Sequence, residues 1–145
     1  MVEENNKSQN QEEKEAISKA IHAVIGWALT KDFDLLFSVV AQDEEFFIYH
    51  PDSKSTIQGF EAFRNMAERS WNNPSFKATG YEIKDLRINF SKSKDVAWYS
   101  CYLDDFGEWD GRKVGWSNAR WTGVLEKRKG KWIITQMHFS FPSDK

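Results

Sequence analysis

The sequence has 145 residues, a formal net charge of −2 at pH 7 and a single cysteine, Cys101. This length fits one domain. The near-neutral charge lacks the basic excess that nucleic-acid-binding proteins carry, and one cysteine excludes an internal disulfide, so we expect Cys101 to be a small buried residue. The seven Trp and eleven Phe are a heavy aromatic load, and we expect some of them to line a ligand site.

The first eleven residues, MVEENNKSQNQ, are polar and predict a disordered lead-in before a single domain over residues 12–142. They contain no apolar core of a signal peptide, and no stretch approaches the ~20 apolar residues of a membrane span. The sequence therefore predicts a cytoplasmic protein that contacts neither membrane nor nucleic acid. We expect no cofactor, and no metal either, because the three histidines lack local ligand spacing.

Helical spacing of apolar residues is confined to the first half of the chain. A cap formed by Asn10 and Glu13 predicts the start of a first helix that ends near Thr30, and Asp32 is placed to cap a second, short one. A short aromatic strand over residues 45–50 is stopped by the following proline. After a loop over residues 51–59, the spacing predicts a third helix over residues 60–71.

The second half of the chain is rich in β-forming residues. Turn residues divide it into four long predicted strands, at residues 78–90, 96–106, 114–127 and 132–141. Short turns between long strands predict an antiparallel meander, which must curl in so small a domain. Three helices followed by a bent sheet predict an α+β fold in which the helices close one mouth of a half-barrel and leave a cavity.

The last two strands meet at the turn Lys129–Gly130, which is typical of an antiparallel hairpin. With strict alternation, Trp132, Ile134, Gln136, His138 and Ser140 share one face of the last strand, and Arg120 shares a face with Thr122 on its partner. We expect this mixed face to line the cavity and the opposite, apolar face to pack against a second copy of the chain.

An inward-facing guanidinium and imidazole would favour a small anionic ligand, because the Arg120 fork matches a carboxylate or phosphate. Gln136 would add an amide beside His138. The structural alternative is that Arg120 pairs with an internal acid such as Asp104 or Glu126. The aromatic candidates for the pocket wall, each of which also suits core or interface packing, are Tyr49, Trp98, Tyr102, Trp109 and Trp116.

The helical pair, the aromatic strand before a proline, the Gly59–Phe60 helix start and the ending GKWIITQMHFS resemble the nuclear-transport-factor-2-like superfamily, in its SnoaL-like branch. The resemblance covers about residues 11–142. The end is also similar to the association (hub) domain of calcium/calmodulin-dependent protein kinase II, which has a similar RxGKW turn and a histidine in its last strand. The resemblance implies a cone-shaped α+β, cystatin-like half-barrel that usually forms a homodimer through its sheet.

Ketosteroid isomerase is the best-known enzyme of this superfamily, and the resemblance places His50 at the position of its general base. Histidine there could take a proton at neutral pH. An approximate alignment sets Val24 where the isomerase has a donor Tyr and finds no second donor, so steroid isomerisation is not expected. The SnoaL cyclases imply a carboxylate in the cavity, for which Asp104 and Asp105 are candidates whose facing the sequence leaves open.

Three functions therefore stay open. The first, which we favour, is a binding module for a small, mostly apolar molecule that is anionic if Arg120 faces inward. The second is a cofactor-independent isomerase, cyclase or hydratase with His50 or His138 as general base and Asp104 as a further catalytic candidate. The third is a hub domain whose function lies in oligomerisation.

Overall fold

The computed structural model describes residues 2–144. The helices are α1 (Val2–Gly26), which continues as a 3-10 turn (Trp27–Leu29), α2 (Phe33–Ser38), and α3 (Phe60–Met66), which continues as a π-helical turn (Ala67–Trp71). The strands are β1 (Phe47–Tyr49), β2 (Ile57–Gln58), β3 (Phe76–Phe90), β4 (Val96–Trp109), β5 (Arg112–Arg128) and β6 (Lys131–Ser140).

The first helix is longer at its N-terminal end than the sequence predicts. It includes residues 2–11, where the polar composition indicated disorder, and Asn10 lies inside the helix rather than at its cap. The apolar stripe starts only at Ile17, which is fully buried. Ahead of that stripe, Glu13 accepts hydrogen bonds from Lys127 Nζ at 2.7 Å and from Trp132 Nε1 at 2.6 Å. This polar tether to the sheet is a long-range contact that helical spacing does not reveal.

Within residues 2–144, the strands form one six-stranded sheet in the order β2-β1-β6-β5-β4-β3. The meander β3 to β6 is antiparallel as predicted. The edge differs from prediction, because β1 pairs with β6 in parallel and β2 forms inside the predicted loop, so the sheet is mixed. The parallel pairing brings the end of β1 beside the last strand, and this places His50 over the sheet.

A β-bulge at Thr135 changes the facing of the last strand. Val124 pairs with Gln136, but the next residue, Leu125, pairs with Ile134, so Thr135 is the extra residue. Its hydroxyl donates to the Val124 carbonyl at 3.2 Å. Because side chains alternate along a strand, one extra residue moves everything beyond it to the opposite face. The strict alternation assumed from sequence therefore fails within β6.

The face that packs against the helices, here called the inner face, is apolar on both sides of the bulge. Its β6 residues are each 4% exposed or less: Trp132, Ile134, Met137 and Phe139. The prediction that the mixed face lines the cavity is wrong. Arg120, Gln136 and His138 lie exposed on the opposite, outer face.

The inner face and the helices share one hydrophobic core that extends from Ile17 to Phe139. At its centre the Trp121 ring stacks on Phe139, with centroids 5.3 Å apart and planes 17° apart. Cys101 is buried as expected, and burial raises the pKa of its thiol to about 12. Among the described helices, none is both long and apolar enough to cross a membrane.

Candidate functional site

An inner cavity of about 330 Å³ lies between the helices and the inner face of the sheet. Aromatic side chains from five different elements form much of its wall: Trp27, Phe63, Trp71, Trp116 and Phe139. The polar side chains that reach it are few: His50, Asp52, Ser55, Ser70 and Asp105. A largely apolar cleft with a few placed polar groups is the usual form of a small-molecule site.

Asp105 continues the inward-facing series of β4, after the buried Cys101 and Leu103, and a second irregularity lies beside it, between β4 and β5. Leu103 pairs with Ala119, but Asp105 pairs with Trp116, so β5 carries one extra residue here. The preceding Asp104 secures this bulge from the other side of the sheet. Since neighbouring residues on a strand face opposite ways, Asp105 points toward the helices.

The carboxyl group of Asp105 sits in apolar surroundings. Burial raises its pKa from 3.8 to about 6, and no hydrogen bond or opposite charge from the described residues offsets the loss of water. A carboxyl group with this pKa exchanges its proton near neutral pH. Perturbed acids of this kind are concentrated at functional sites.

Gly115 allows the close approach of β5 to Asp105. Its φ is +126°, and a Cβ built on it would lie 1.9 Å from the Asp105 carbonyl oxygen. A side chain at this position would force the strands apart. Glycine is therefore required where β5 passes the candidate acid.

His50 lies just after β1 and closes the cavity from the other side. Its ring stacks on Phe139 with centroids 5.5 Å apart and planes 5° apart, and Trp116 lies 6.1 Å away. His50 Nδ1 donates a hydrogen bond to the Ser55 carbonyl at 2.5 Å. Burial lowers the pKa of His50, although this hydrogen bond and the nearby Asp52 charge partly oppose the shift. The imidazole is thus held neutral at physiological pH.

The cavity carries no positive charge, since no lysine or arginine belongs to the described residues that line it. Its ionisable groups are one imidazole and two carboxyls, those of Asp105 and Asp52. Within residues 2–144, no group of three or more His, Cys, Asp or Glu side chains is arranged to hold a metal ion. The arrangement suits proton transfer to and from a bound molecule.

Two of the sequence-predicted catalytic candidates lie away from this cavity. His138 is exposed on the outer face, 5.3 Å from the Tyr49 ring. Asp104 accepts a hydrogen bond from the Asn118 backbone N–H at 2.7 Å and pairs with Lys84 Nζ at 3.0 Å. Neither is therefore a cavity group: the Thr135 bulge turns His138 outward, and Asp104 faces outward because it follows the inward-facing Leu103 on β4.

The predicted ligand-binding residues are likewise divided between the inner cavity and the outer face. Trp116 lines the inner cavity. Arg120 instead donates to the Phe141 carbonyl at 3.0 Å on the outer face, and Gln136 is also exposed on that face. Three aromatic members of the set are also exposed there, by 43–46%: Tyr49, Trp98 and Tyr102. An inward-facing anion site built on Arg120 and His138 is excluded by this geometry.

The cavity also contains residues that the sequence analysis did not select. Trp71 and Ser70 reach it from the π-helical turn, and Asp52 and Ser55 reach it from the loop after β1. One signal was available for the acid. Asp104 and Asp105 are consecutive in an otherwise apolar strand, so one of them must face inward.

The fold of this chain is similar to that of several solved structures. A candidate scytalone dehydratase from Novosphingobium aromaticivorans aligns with a TM-score of 0.76 and 13% identity over 92% of this chain and 86% of that one. A candidate dehydratase of the NTF2-like family from Streptomyces avermitilis aligns with a TM-score of 0.72 and 17% identity, over 92% and 99%. The association domain of Caenorhabditis elegans CaMKII aligns with a TM-score of 0.65 and 16% identity, over 93% of this chain and 97% of that one.

At these identities the solved structures establish a shared fold, which is the nuclear-transport-factor-2-like, cystatin-like one. No curated protein matches the chain in sequence. The model of the SnoaL-like domain matches residues 17–144, which is most of the chain. This protein therefore belongs to the SnoaL-like domain family.

Proposed function

We propose that this protein binds a small, mostly apolar, uncharged molecule in the inner cavity and carries out cofactor-independent acid–base chemistry on it. The observation that carries the proposal is the presence of Asp105, a partly buried carboxyl group without a partner among the described residues, in the same apolar cavity as His50. Titratable groups with shifted pKa values that share a cleft are the usual mark of proton-transfer catalysis.

The two groups suit complementary roles. His50 is neutral, so it accepts a proton from a carbon or hydroxyl group of the ligand. Asp105, whose pKa is about 6, keeps a protonated fraction near neutral pH and returns a proton to an oxygen of the ligand. In a dehydration, the base removes a proton from carbon while the acid protonates the departing hydroxyl, which leaves as water. The candidate dehydratases among the structural neighbours make this reaction class a reasonable choice.

The charge of the cavity favours an uncharged ligand over an anion. Asp105 and Asp52 repel negative charge, and no lysine or arginine of the described lining compensates them. The volume of about 330 Å³ lies at the lower end of the roughly 300–1,000 Å³ range of ligand pockets. A single substituted ring is a suitable size, and the aromatic wall suits such a ring.

The outer face supports a separate part of the proposal, a homodimer formed through the sheet. Trp98, Tyr102 and Phe106 are 43–47% exposed at every second outward position of β4. Exposed aromatic patches of this kind mark association surfaces. The similar fold of the CaMKII association domain is consistent with self-association of this chain. A cytoplasmic location stays a prediction from the sequence.

The acid–base proposal is tested with acetophenone, a neutral ring ketone whose α-protons exchange through an enol. NMR in D₂O measures deuterium incorporation with and without the full chain, while chemical-shift changes report binding. We expect exchange faster than in buffer alone. His50→Gln and Asp105→Asn should each slow it by about 10²-fold or more. The matched outer-face variants His138→Gln and Asp104→Asn should leave it unchanged.

Exchange at the buffer rate while acetophenone is bound would contradict the proposed chemistry. An equal loss in the His138 or Asp104 variants would contradict the assignment of the chemistry to the inner cavity.

A further inference from the structure

The loop between β1 and β2 holds a short turn that is organised by one carboxylate. Asp52 Oδ1 accepts from the Lys54 backbone N–H at 3.0 Å and from the Ser55 hydroxyl at 3.0 Å. These bonds cap the 3-10 turn Ser53–Ser55. An aspartate that accepts from two following groups fixes the local backbone more firmly than loop contacts alone. The peptide carbonyl of Ser55 is therefore held in one orientation.

That carbonyl determines which nitrogen of His50 carries the proton. The Ser55 oxygen accepts a hydrogen bond from His50 Nδ1 at 2.5 Å. A carbonyl has no hydrogen to give, so Nδ1 must be the protonated nitrogen. Neutral imidazole has one N–H, which leaves the lone pair on Nε2. Stacking on Phe139 then fixes the plane of the ring.

We propose that Asp52 is a positioning residue for His50: through the turn that it caps, it presents the Ser55 carbonyl to Nδ1, so that Nε2 is kept unprotonated for the ligand. The inference rests on the proposed function, in which His50 is the base. The inference explains why the base has this tautomer. In other enzymes too, a hydrogen-bond partner on one ring nitrogen fixes the tautomer and orientation of a catalytic histidine.

The charges around His50 agree with this role. The hydrogen bond from the Ser55 hydroxyl is the main cause that lowers the pKa of Asp52, so its carboxylate remains an acceptor. Its negative charge works against the burial that lowers the pKa of His50. The other acid that lines the cavity is Asp105 from β4, and the neighbouring strand β6 presents the apolar Phe139. His138 of the same strand faces outward.

The test is ¹⁵N NMR of the histidine side chains in the full chain, because the two ring nitrogens have distinct shifts in each tautomer. Wild-type His50 should show its proton on Nδ1. D52A removes the cap and should mix the tautomers and slow acetophenone exchange by about 10–10²-fold. D52N keeps an acceptor oxygen, so the tautomer should persist while the pKa of His50 falls further. S55A, which loses one of the two bonds to the carboxylate, should fall between wild type and D52A.

Asp32→Ala is the matched control. Asp32 caps α2 by accepting from the Leu35 backbone N–H at 3.1 Å, and it does not line the cavity. Asp32→Ala removes a similar capping hydrogen bond at a site away from His50, so the ¹⁵N spectrum of His50 should stay unchanged. If D52A does not fold, D52N, S55A and the wild-type spectrum still decide the question.

A wild-type His50 protonated on Nε2 would overturn the inference, and so would a D52A or S55A spectrum identical to that of the wild type. The proposed function fails separately. A fixed Nδ1 tautomer that depends on Asp52, in a protein that exchanges no ketone protons, would leave the positioning role intact and remove the acid–base proposal.

Discussion

The two faces of the curved sheet carry the same residue types in opposite environments. Each has an aspartate and a histidine: Asp105 and His50 face the inner cavity, whereas Asp104 and His138 face outward. A hydrogen bond from the Asn118 backbone lowers the pKa of Asp104, while burial raises the pKa of Asp105. The pKa values of two consecutive aspartates are thus shifted in opposite directions. The facing of each strand residue, set by alternation along β4 and by the Thr135 bulge in β6, therefore selects which residues can do chemistry.

The largest expected effect concerns packing on the two faces. Trp121 is fully buried between Tyr99 and Phe139, so Trp121→Ala should lower the free energy of unfolding by about 3–5 kcal/mol. Trp98 is 46% exposed on the outer face. Trp98→Ala should therefore change the free energy of unfolding by less than about 0.5 kcal/mol in dilute, monomeric protein. Urea unfolding measures both. Similar losses in the two variants would mean that the faces are not distinct in burial.

The second prediction concerns the effect of the two aspartates on stability. Asp105 has its pKa raised from 3.8 to about 6 in the folded state. Between these pH values the unfolded chain ionises first, so folding stability falls as pH rises and the penalty is complete above pH 6. Asp105→Asn removes the penalty. It should stabilise the protein by up to about 3 kcal/mol at pH 7.5 and by little at pH 4.

Asp104→Asn is the control for this second prediction and should act with the opposite sign. Because the folded-state pKa of Asp104 is lowered, its carboxylate adds stability above its unfolded pKa. That stability is lost as pH falls through the folded value. Denaturant unfolding at both pH values separates the two variants. A stabilising Asp104→Asn or a destabilising Asp105→Asn at pH 7.5 would contradict the assigned facing.

The smallest expected effect on folding is at the outer face, where the change should be in assembly. Tyr102→Lys places a charge in the exposed aromatic patch and should shift sedimentation velocity from dimer to monomer, with stability within about 0.5 kcal/mol. Leu35→Lys, at a residue 39% exposed on α2, is the matched control and should leave the dimer intact. A wild-type monomer at high concentration, or equal dissociation in both variants, would remove the dimer proposal.

Most of the fold could be predicted because its signals are local. Turn chemistry at Lys129–Gly130 predicted the last hairpin, and helical spacing predicted the helices that cover the sheet. The resemblance to the nuclear-transport-factor-2-like superfamily was confirmed by the family match and the structural neighbours. The parallel pairing of β1 with β6 was missed, since residues of β1 carry no local mark of a partner so distant along the chain.

The site was predicted less well, because the facing of the last strand depends on one inserted residue. Arg120 and His138 do share a face, but it is the outer one: the bulge at Thr135 turns His138 outward, and Arg120 lies between the inward-facing Ala119 and Trp121. A partial signal was present in β6: Trp132 and Ile134 fall at even positions and Met137 and Phe139 at odd ones, a change of phase that the apolar Ile133 obscures. A pattern that allows one bulge would have included the observed facing of the last strand among its alternatives.

The central claim is that Asp105 lies unpaired in an apolar cavity, and its titration tests this most directly. The ¹³C carboxyl shift of Asp105, assigned by comparison with Asp105→Asn, is followed by NMR from pH 3 to 9. A midpoint at about 6 is the predicted result. A midpoint near ~4, the value of a solvated aspartate, would contradict the assignment of the acid and with it the acid–base function.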